Sequence, residues 1–314
     1  MSLKKLIRFF ILLLLAFLFR QAAVFAQQQA QFTQYMFNTN AVNPAYAGSR
    51  GTVSALTLYR TQWVGFEGAP TTLMFNVNSP FHNDKLGAGI TLINEKTGPT
   101  KQTGVFSDFV FRINMKQSSL SFGLKAGVDV FQANFSSINT IASNDVQFQS
   151  DVSSKLLPNF GFGLYYKAEK YYFGLSTPKL VQNTIDIENT NSSVAHLEVN
   201  KIHYYFIGGC IVDISTFVKF KPTMQVKFTY GAPVSVDANA SFLFYEKLWL
   251  GGMVRIGDAV GLLLQYQFTS QFRVGYSYDF TTSKFGKYNN GTHEIMLGYD
   301  FNSSKEKIRS PRYF

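Results

Sequence analysis

The sequence predicts an all-β fold, namely a transmembrane outer-membrane β-barrel of about 14 antiparallel strands with an N-terminal plug or strap segment. Three observations predict this fold. Aromatic residues make up 16% of the chain and charged residues only 15%, where a typical soluble domain is about 25% charged. Apolar and polar residues alternate over many short stretches, and the connections between these stretches are short and long in turn. A lipid-facing strand is apolar only at every second residue, so a membrane barrel accounts for all three observations.

The chain begins with the features of a secretory signal peptide. Three basic residues precede an apolar run from Phe9 to Phe19, and Val24-Phe25-Ala26 offers a small-residue cleavage site. We therefore expect residues 1–26 to be removed. The alternative is a membrane anchor, which needs about 20 consecutive apolar residues, and Arg20 ends the run well short of that length.

Charge and cysteine content exclude several classes of function. Removal of the signal peptide lowers the net charge from +10 to +6, because that segment holds four of the 29 basic residues and none of the 19 acidic ones. The remaining basic residues are scattered and do not alternate with aromatic residues on one face, so we expect no nucleic-acid partner. Cys210 is the only cysteine, which excludes an intramolecular disulfide and a metal site built on a cysteine pair.

The alternation is clearest near the C-terminus. From Phe272 to Phe280 every second residue is apolar, and Arg273, Gly275, Ser277 and Asp279 lie between them. Because successive side chains of a strand point to opposite faces, this pattern gives one apolar and one polar face. The same pattern recurs along the chain and predicts strands at Thr52–Trp63, Pro70–Phe81, Leu86–Glu95, Gln102–Met115, Ser119–Phe135, Asn159–Ala168, Tyr171–Val181, His203–Ile214, Phe217–Tyr230, Val234–Tyr245, Leu248–Ile256, Val260–Phe268, Phe272–Thr282 and Thr292–Phe301.

The lengths of the connections support a barrel independently. The even-numbered connections are tight turns, such as Glu169-Lys170, whereas the three longest connections are all odd-numbered: Ser136–Pro158, Gln182–Ile202 and Ser283–Gly291. Outer-membrane barrels have short periplasmic turns and long outer loops, so both ends of the barrel, residues 52–301, are expected in the periplasm. A soluble β-sandwich or lipocalin-like barrel would alternate too, but its outer face would be charged.

The residues between the cleavage site and the first strand, 27–51, form a distinctive segment. "QFTQYMFNTNAVNPAYAGSRG" is rich in asparagine and aromatic residues and has almost no charge. Because exposed aromatic side chains favour burial, we expect the segment to fold into or against the periplasmic mouth. Its amides would be satisfied by the polar lumen wall, including Arg60 or Arg273. The segment is then either a plug or strap that only stabilises the barrel, or a docking site for a partner.

No catalytic or cofactor site is expected. The four histidines, His82, His196, His203 and His293, have no metal-ligand spacing, and no serine or cysteine lies in a nucleophile motif. Gly87–Gly89 and Gly161–Gly163 lie in predicted strands and not at strand-to-helix turns, so they are not phosphate loops. We therefore expect no enzyme, no cofactor and no metal.

Several stretches resemble one known family. Besides the segment quoted above, they include "LYRTQWVGFEGAPTT", "LGAGITLINEKTGPTKQTGVFSDFVFRI", "GAPVSVDANASFLFYEKLWLGGMVRIGDAVG" and "NNGTHEIMLGYDF". They are similar to the PorP/SprF family of outer-membrane proteins of the type IX secretion and gliding motility machinery of Bacteroidetes. The basic tail, 302–314, has no match in this resemblance and is either a periplasmic docking peptide or a disordered end.

The resemblance implies a non-enzymatic role in protein secretion. Its expected partners are a secreted adhesin or other cargo with a C-terminal sorting domain, periplasmic lipoproteins or peptidoglycan-binding components, and outer-membrane lipid. The loops Ser136–Pro158 and Gln182–Ile202 are candidate cargo contacts or a simple lid. The candidate partner-binding residues are Tyr35, Phe37, Asn43, Pro44, Tyr46, Arg50, Arg60 and Trp63.

Two of these residues have further interpretations. Trp63, like Phe66, lies at the outer end of the first strand, where it is an aromatic-girdle anchor or a cargo contact. Arg60 belongs to the polar face and is expected to pair with an acidic side chain across the lumen.

The alternative function is an outer-membrane channel or transporter for small hydrophobic molecules. The content of the lumen distinguishes the two. Ion pairs made by Lys125, Lys227 and Asp129 would support a scaffold, whereas a continuous apolar passage would support transport.

Overall fold

The computed structural model describes residues 30–82, 84–137, 151–188 and 194–301. The predicted signal peptide, 1–26, and the basic tail, 302–314, lie outside the described residues. So do residues 138–150 and 189–193, which belong to the two longest predicted loops.

The described residues form β-strands joined by turns and short 3₁₀ helices. The strands are β1 (Val53–Thr61), β2 (Thr71–Phe81), β3 (Leu86–Thr97), β4 (Thr100–Asn114), β5 (Ser118–Ala133), β6 (Val152–Ala168), β7 (Tyr171–Thr177), β8 (Thr184–Glu188), β9 (Val194–Glu198), β10 (His203–Cys210), β11 (Val212–Asp213), β12 (Val218–Thr229), β13 (Ser235–Phe244), β14 (Leu248–Arg255), β15 (Ala259–Gln267), β16 (Phe272–Thr281) and β17 (Thr292–Phe301). Within the described ranges, no helix is long and apolar enough to cross a membrane.

Fourteen antiparallel strands close into a barrel. From β1 to β7 and from β12 to β17 each strand pairs with the next one in the chain, β10 pairs with both β7 and β12, and β1 pairs with β17. Strand β11 continues β10 beyond Ile211 and pairs with β12, so the two count as one barrel strand. The predicted barrel is confirmed, and the soluble sandwich is excluded by the β1–β17 closure.

Two details of the predicted strands were wrong. The ladder between β5 and β6 continues to Ala133 and Val152, so β6 begins at Val152 and the predicted loop Ser136–Pro158 is partly strand. The predicted loop Gln182–Ile202 contains the separate hairpin β8–β9. Each of its strands has only five residues, whereas a membrane-spanning strand needs about 9–11 residues.

The two ends of the barrel differ. The short-turn end carries the tight connections, for example Glu169-Lys170 between β6 and β7, and it is also where β1 begins and β17 ends. The long-loop end carries the connection between β5 and β6, the connection between β7 and β10, and the connection between β16 and β17. The predicted sorting of short and long connections is therefore present.

The wall has an apolar outer face and a polar inner face. In β15, Leu262 is 63% exposed, Leu263 is 5% exposed and Leu264 is 45% exposed. In β16, the exposed side chains include Tyr276 and Phe280, whereas Arg273, Ser277 and Asp279 are buried. Because strand side chains alternate between faces, an apolar band surrounds the barrel where acyl chains would contact it.

The core lies inside the barrel. Residues before β1 contribute to three of its apolar clusters, for example Tyr35 and Met36 packing with Met253 and Leu263. A further cluster at the long-loop end joins Phe131, Val152 and Leu157 to Ile185 of the β8–β9 hairpin. The interior is thus packed by the chain itself.

Candidate functional site

Residues 30–51, here called the lumen segment, run along the inside of the barrel from one end to the other. Ala30 and Gln31 line an open cavity at the long-loop end, and Arg50 reaches Asp300 at the end of β17, at the short-turn end. Two 3₁₀ turns, Thr39–Ala41 and Pro44–Tyr46, shorten the path between them. The segment folds into the barrel, in agreement with the expected position in or against one mouth, and it extends further than expected, to the opposite end.

The first anchor of the lumen segment is a cluster of buried charges. The backbone N–H groups of Thr33 and Gln34 donate to the two carboxylate oxygens of Glu294, at 3.0 and 2.9 Å. The Thr33 hydroxyl donates to Asp279 at 2.6 Å and accepts from Arg60 at 2.9 Å. Arg60 also pairs with Glu294 at 3.0 Å and with Asp279 at 3.1 Å. A charge-assisted hydrogen bond is stronger than a neutral one, so this cluster fixes the start of the segment.

The expected partners of Arg60 and of the segment amides are corrected by this geometry. Arg60 pairs along the wall, with the neighbouring strand β17 and the next strand β16, and not across the lumen. The N–H groups of Thr33 and Gln34 donate to a carboxylate and not to an arginine, because a backbone N–H and a guanidinium both donate and neither accepts. Arg60 instead donates to the Thr33 hydroxyl. Arg273, the other residue expected to hold the amides, donates to Asp300 at 2.9 Å.

The middle of the lumen segment contacts opposite walls. The Tyr35 hydroxyl lies 3.1 Å from the Thr223 hydroxyl of β12, whereas Asn40 donates to Asp108 of β4 at 2.9 Å. The Phe37 ring packs edge-on against Trp249 of β14, with the ring centroids 5.7 Å apart. The ammonium group of Lys221, a fully buried side chain, lies 5.0 Å from the Phe37 ring centroid. A cation above an aromatic face is attracted by the ring quadrupole.

Asn43 and Pro44 shape the second turn of the segment. The Asn43 side-chain oxygen accepts from the Ala45 N–H at 3.0 Å, and its amide donates to the Leu164 carbonyl of β6 at 2.9 Å. Proline fits the first position of such a turn, because its missing N–H would be unpaired there. Tyr46 then packs edge-on against Tyr165, with the ring centroids 5.5 Å apart.

Strand glycines make room for this turn. A Cβ atom added to Gly163 would overlap the Asn43 side chain, and one added to Gly123 would overlap the backbone of Ala45. A Cβ on Gly174 would lie 2.6 Å from the Asn43 amide nitrogen. Glycine is used where another backbone approaches closely, so the segment explains glycine at positions 123 and 163, whereas at position 174 Ile207 of β10 is also close, at 2.8 Å.

The end of the lumen segment is held through its carbonyl groups. Arg112 of β4 donates to the carbonyls of Ala47 and Gly48, at 3.1 and 3.4 Å, and Lys167 donates to the Ser49 carbonyl at 3.1 Å. Gly48 has φ +75° and a Cβ there would lie 2.9 Å from Pro80, so glycine suits this close left-handed turn.

Arg50 completes the end of the segment. It forms a two-pronged pair with Asp300 at 2.7 and 3.1 Å, and Asp300 also accepts from Arg273. The segment is thereby tied to the last strand of the barrel at the same place where that strand ends.

Trp63 does not lie with the other seven candidate residues. It belongs to an aromatic cluster at the long-loop end, defined by Trp63, Phe66, Phe285 and Tyr288. Phe285 is the centre, with its ring 4.8 Å from Trp63 and 5.1 Å from Phe66. The remaining candidates, Tyr35 to Arg60, all contact the interior.

Sequence reasoning missed the wall residues that hold the segment. Glu294, Asp279, Asp300 and Arg112 are each at most 6% exposed, but the sequence pattern identifies Asp279 only as a polar-face position and singles out none of the other three. Charged side chains are almost never fully buried unless paired, so a charged residue at an inward position of a filled barrel signals a partner. The sequence alone does not show that the barrel interior is occupied by the lumen segment.

Other inward charges pair as well. Lys125 lies 2.8 Å from Asp108, and Lys179 lies 2.7 Å from Asp129. Two of the three residues named as the test of a packed lumen, Lys125 and Asp129, are thus in ion pairs. The Lys227 ammonium has no hydrogen-bond partner among the described residues.

The open cavity at the long-loop end, here called the vestibule, has a volume of about 610 Å³. It is lined by Ala30 and Gln31 of the lumen segment, by residues of four connections at that end, and by the adjoining ends of strands. Glu95, Arg255 and Asp258 supply its charged groups. A smaller cavity of about 60 Å³ lies deeper, between the lumen segment and the wall.

The described residues hold no group of three or more histidine, cysteine, aspartate or glutamate side chains that could bind a metal ion. His293 contacts the Tyr276 hydroxyl at 2.7 Å, and the ring of His203 contacts the Lys201 carbonyl at 2.9 Å. These contacts place both histidines in structural roles at the long-loop end.

The closed wall, the apolar outer band and the ion-paired interior define the class of this protein, an outer-membrane β-barrel whose lumen is packed by its own chain. A family model described as "Type IX secretion system membrane protein PorP/SprF" matches residues 24–299. The chain belongs to this PorP/SprF family, as the resemblance of its sequence indicated. It is a membrane component of the type IX secretion family and resides in the outer membrane.

Solved barrels are similar to the chain in fold at low identity. The NanC porin is 10% identical with a TM-score of 0.41, over 80% of this chain and 100% of that chain. A FadL homologue of Pseudomonas aeruginosa is 11% identical with a TM-score of 0.43, over 87% of this chain and 95% of that chain. The CymD monoaromatic hydrocarbon channel is 9% identical with a TM-score of 0.48, over 89% and 95% of the two chains. No curated protein sequence matches the chain significantly.

Proposed function

We propose that this protein is a non-enzymatic component of the type IX secretion and gliding machinery that binds a secreted cell-surface partner and couples it to the periplasmic machinery. The partner would be an adhesin-like cargo with a C-terminal sorting domain. The observation that carries the proposal is the lumen segment, which occupies the space that a conduit would need.

The orientation follows from the connections. Long loops of outer-membrane barrels face the outside and short turns face the periplasm. The long-loop end, with the vestibule and the aromatic cluster, is then the partner-facing end. The short-turn end faces the periplasmic lipoproteins or peptidoglycan-binding components.

The long-loop end offers a surface suited to protein contact. Tyr288 is 68% exposed and Phe66 is 45% exposed, and both rings pack against Phe285. Exposed aromatic side chains are enriched at the centres of protein interfaces. Trp63 is therefore proposed as part of the partner contact, whereas an aromatic-girdle anchor is the alternative for it.

The seven interior candidates have a supporting role in this proposal. Tyr35, Phe37, Asn43, Pro44, Tyr46, Arg50 and Arg60 hold the lumen segment against the wall, which keeps both ends of the barrel in a fixed geometry. A rigid scaffold lowers the entropic cost of binding at its ends.

The short-turn end carries exposed ion pairs that suit a polar partner. Asp213 lies 3.0 Å from Lys170 and 2.9 Å from Lys219, and Lys219 also reaches Glu246 at 3.3 Å. Such rim charges contribute little to stability but steer the encounter with a complementary surface.

Transport of small hydrophobic molecules is less well supported. It requires a continuous apolar passage, and the cavity beside the lumen segment holds about 60 Å³ and is lined by Lys125, Lys179 and Glu95 as well as by apolar groups. Paired charges in the path of an apolar molecule would have to be desolvated again during its passage.

The test is affinity purification from detergent-solubilised outer membranes, with mass spectrometry of the proteins that co-purify. Wild-type protein should bring down a secreted protein with a C-terminal sorting domain and a periplasmic component. Tyr288→Ser should reduce recovery of the secreted protein at least tenfold and keep the periplasmic component. Tyr245→Ser is the matched control, because Tyr245 is 69% exposed but lies at the short-turn end.

Recovery of the periplasmic component alone from the wild type would contradict cargo binding, and recovery of neither would contradict the proposal as a whole. Equal loss of cargo in both tyrosine variants would remove the aromatic cluster from the proposal.

A further inference from the structure

We propose that the vestibule is a binding site for a short oligosaccharide. The proposal goes beyond a role in secretion and does not depend on it, because the site is built from side chains of the barrel itself. The volume of the vestibule, about 610 Å³, lies within the usual range of ligand pockets, about 300–1,000 Å³. The chemistry of its lining indicates the class of ligand.

A row of polar side chains crosses one wall of the vestibule. Thr72 of β2 lies directly opposite Glu95 of β3, and Glu95 lies directly opposite Gln102 of β4. All three residues line the cavity. Side chains that lie opposite each other in an antiparallel pair are about 5 Å apart. The row therefore presents a hydroxyl, a carboxylate and an amide over about 10 Å, which suits a ligand with several polar groups along its length.

The wall across the vestibule contributes Arg255, a buried side chain with an unused donor group. Arg255 is 3% exposed and lines the cavity. Its Nε and Nη2 groups donate to Asp237 at 2.9 to 3.2 Å. Its Nη1 group donates no hydrogen bond to any described residue, and the carboxylates of Asp258 and Asp279 lie 3.6 and 3.9 Å from it. Buried donors in proteins almost always have a partner, so a ligand in the vestibule would supply the missing acceptor.

The neighbouring positions of Arg255 and Asp258 favour hydroxyl groups over peptide groups. Both residues line the cavity, and their nearest charged atoms are 3.6 Å apart. A guanidinium only donates hydrogen bonds, and an ionised carboxylate only accepts them. One hydroxyl group can accept from Arg255 and donate to Asp258 at the same time, whereas a peptide N–H only donates and a peptide carbonyl only accepts. A ligand with many hydroxyl groups therefore fits this pair better than a peptide.

Trp63 adds an aromatic ring in a fixed position. It lines the vestibule and packs edge-on against Phe285, with the ring centroids 4.8 Å apart. Its backbone has φ +47°, which is unfavourable for a bulky residue. The Trp63 N–H donates to the Thr292 hydroxyl at 3.2 Å, and the Val64 N–H donates to the Gly291 carbonyl at 2.8 Å, which holds this conformation. Backbone strain of this kind clusters at binding sites.

The combination of an aromatic ring with polar rows matches the two surfaces of a sugar. A sugar ring has apolar C–H faces and an edge of hydroxyl groups. An aromatic side chain buries apolar surface with little loss of conformational freedom, and the hydroxyl edge can exchange hydrogen bonds with the row from Thr72 to Gln102 and with Arg255 and Asp258. An apolar molecule would leave these polar groups without partners.

The experiment is a binding titration of the purified protein by calorimetry. The detergent is lauryldimethylamine oxide, because a detergent with a sugar headgroup would compete. Three probes are used: maltotriose, the oligosaccharide released by mild acid from lipopolysaccharide of the producing cells, and the peptide trialanine. Fluorescence is read in parallel. The chain has two tryptophans, and Trp249 packs against Phe37 in the interior, so a change on binding reports on Trp63.

At least one saccharide should bind and change the fluorescence. Binding of maltotriose indicates a site for free sugars, and binding of the lipopolysaccharide oligosaccharide alone indicates the lipid headgroup as the source. Thr72→Val should weaken binding about fivefold, as for one lost hydrogen bond, and Trp63→Leu about tenfold. Thr71→Val is the matched control, because the neighbouring side chain of β2 points to the outer face, and it should leave the affinity unchanged.

Failure of both saccharides to bind the wild-type protein overturns the inference, and so does binding of trialanine alone. Binding that is equally strong in the wild type, Thr72→Val and Trp63→Leu also overturns it, because the sugar would then lie elsewhere. Asp258→Asn, a change in the turn after β14, should weaken binding as well and keeps the test decisive if a wall variant does not fold.

Discussion

Arg60 and Glu294 lie directly opposite each other in the ladder that joins the first barrel strand to the last. Their side chains are 1% and 0% exposed, and they form an ion pair at 3.0 Å. The same pair receives Thr33 and Gln34 of the lumen segment. Closure of the barrel and seating of the segment therefore share one charge cluster.

Replacement of Arg60 tests this shared cluster. Arg60→Met leaves the Glu294 carboxylate buried without its cation and leaves Asp279 with only Arg255, at 3.9 Å, and breaking a buried pair costs about 3–5 kcal/mol. We expect a loss of that size in the free energy of unfolding, measured by denaturant titration in lipid vesicles. The double variant Arg60→Met with Glu294→Gln should recover part of the loss. Lys284→Met, in an exposed loop, is the control and should have no effect.

The strand glycines provide a second prediction. Gly123→Ala places a methyl group on the backbone of Ala45, so we expect the lumen segment to shift and stability to fall by about 1–3 kcal/mol, as for overpacked cores. The segment should also become sensitive to added protease. Gly252→Ala is the matched control, because its Cβ would approach no atom closer than 3.7 Å. Equal effects of the two changes would mean that strand propensity, and not the segment, requires glycine.

Deletion of Gln31–Gly48 tests whether the segment blocks the lumen or only braces the barrel. We expect the wild-type protein to show no large conductance steps in planar lipid bilayers. The deleted protein should show open-channel steps and a lower unfolding temperature. Cargo secretion is measured in the same strains. A stable, closed barrel that has lost secretion would contradict the inert strap and favour a docking role for the segment.

A pair of neighbouring leucines tests the two faces of the wall. Leu263→Ala removes a side chain that packs with Tyr35 and Met36, and a buried Leu→Ala change costs about 2–5 kcal/mol because it leaves a cavity. Leu262 is 63% exposed, so Leu262→Ala should cost less, since lipid chains fill the space. Denaturant titration in vesicles measures both. A larger loss for Leu262→Ala would reverse the assignment of the faces.

Much of the fold could be predicted from the sequence, because the rule behind it is local. A strand in lipid must be apolar at every second residue, and "FRVGYSYDF" obeys this rule without reference to any other part of the chain. The short hairpin Thr184–Glu198 obeys no such rule, since it contacts the barrel through a few apolar side chains. Its strands were therefore not predicted.

The candidate site was less predictable. The aromatic and asparagine-rich composition of the lumen segment indicated burial, and Arg60 was expected to have an acidic partner. Its actual partners, Glu294 and Asp279, lie more than 200 residues away in the chain. No periodicity relates such positions, so only the closed wall brings them together.

By itself the sequence determined the barrel, its strands and the chemistry of its two faces, because the alternation that a lipid-facing strand requires is contained within each strand. Only the tertiary structure decided the path of the lumen segment from Ala30 to Arg50, along with the pairing of Arg60 and the need for glycine at 123 and 163. The physical reason is that these features depend on groups from distant strands that satisfy one another's hydrogen bonds and charges inside a closed, water-poor space.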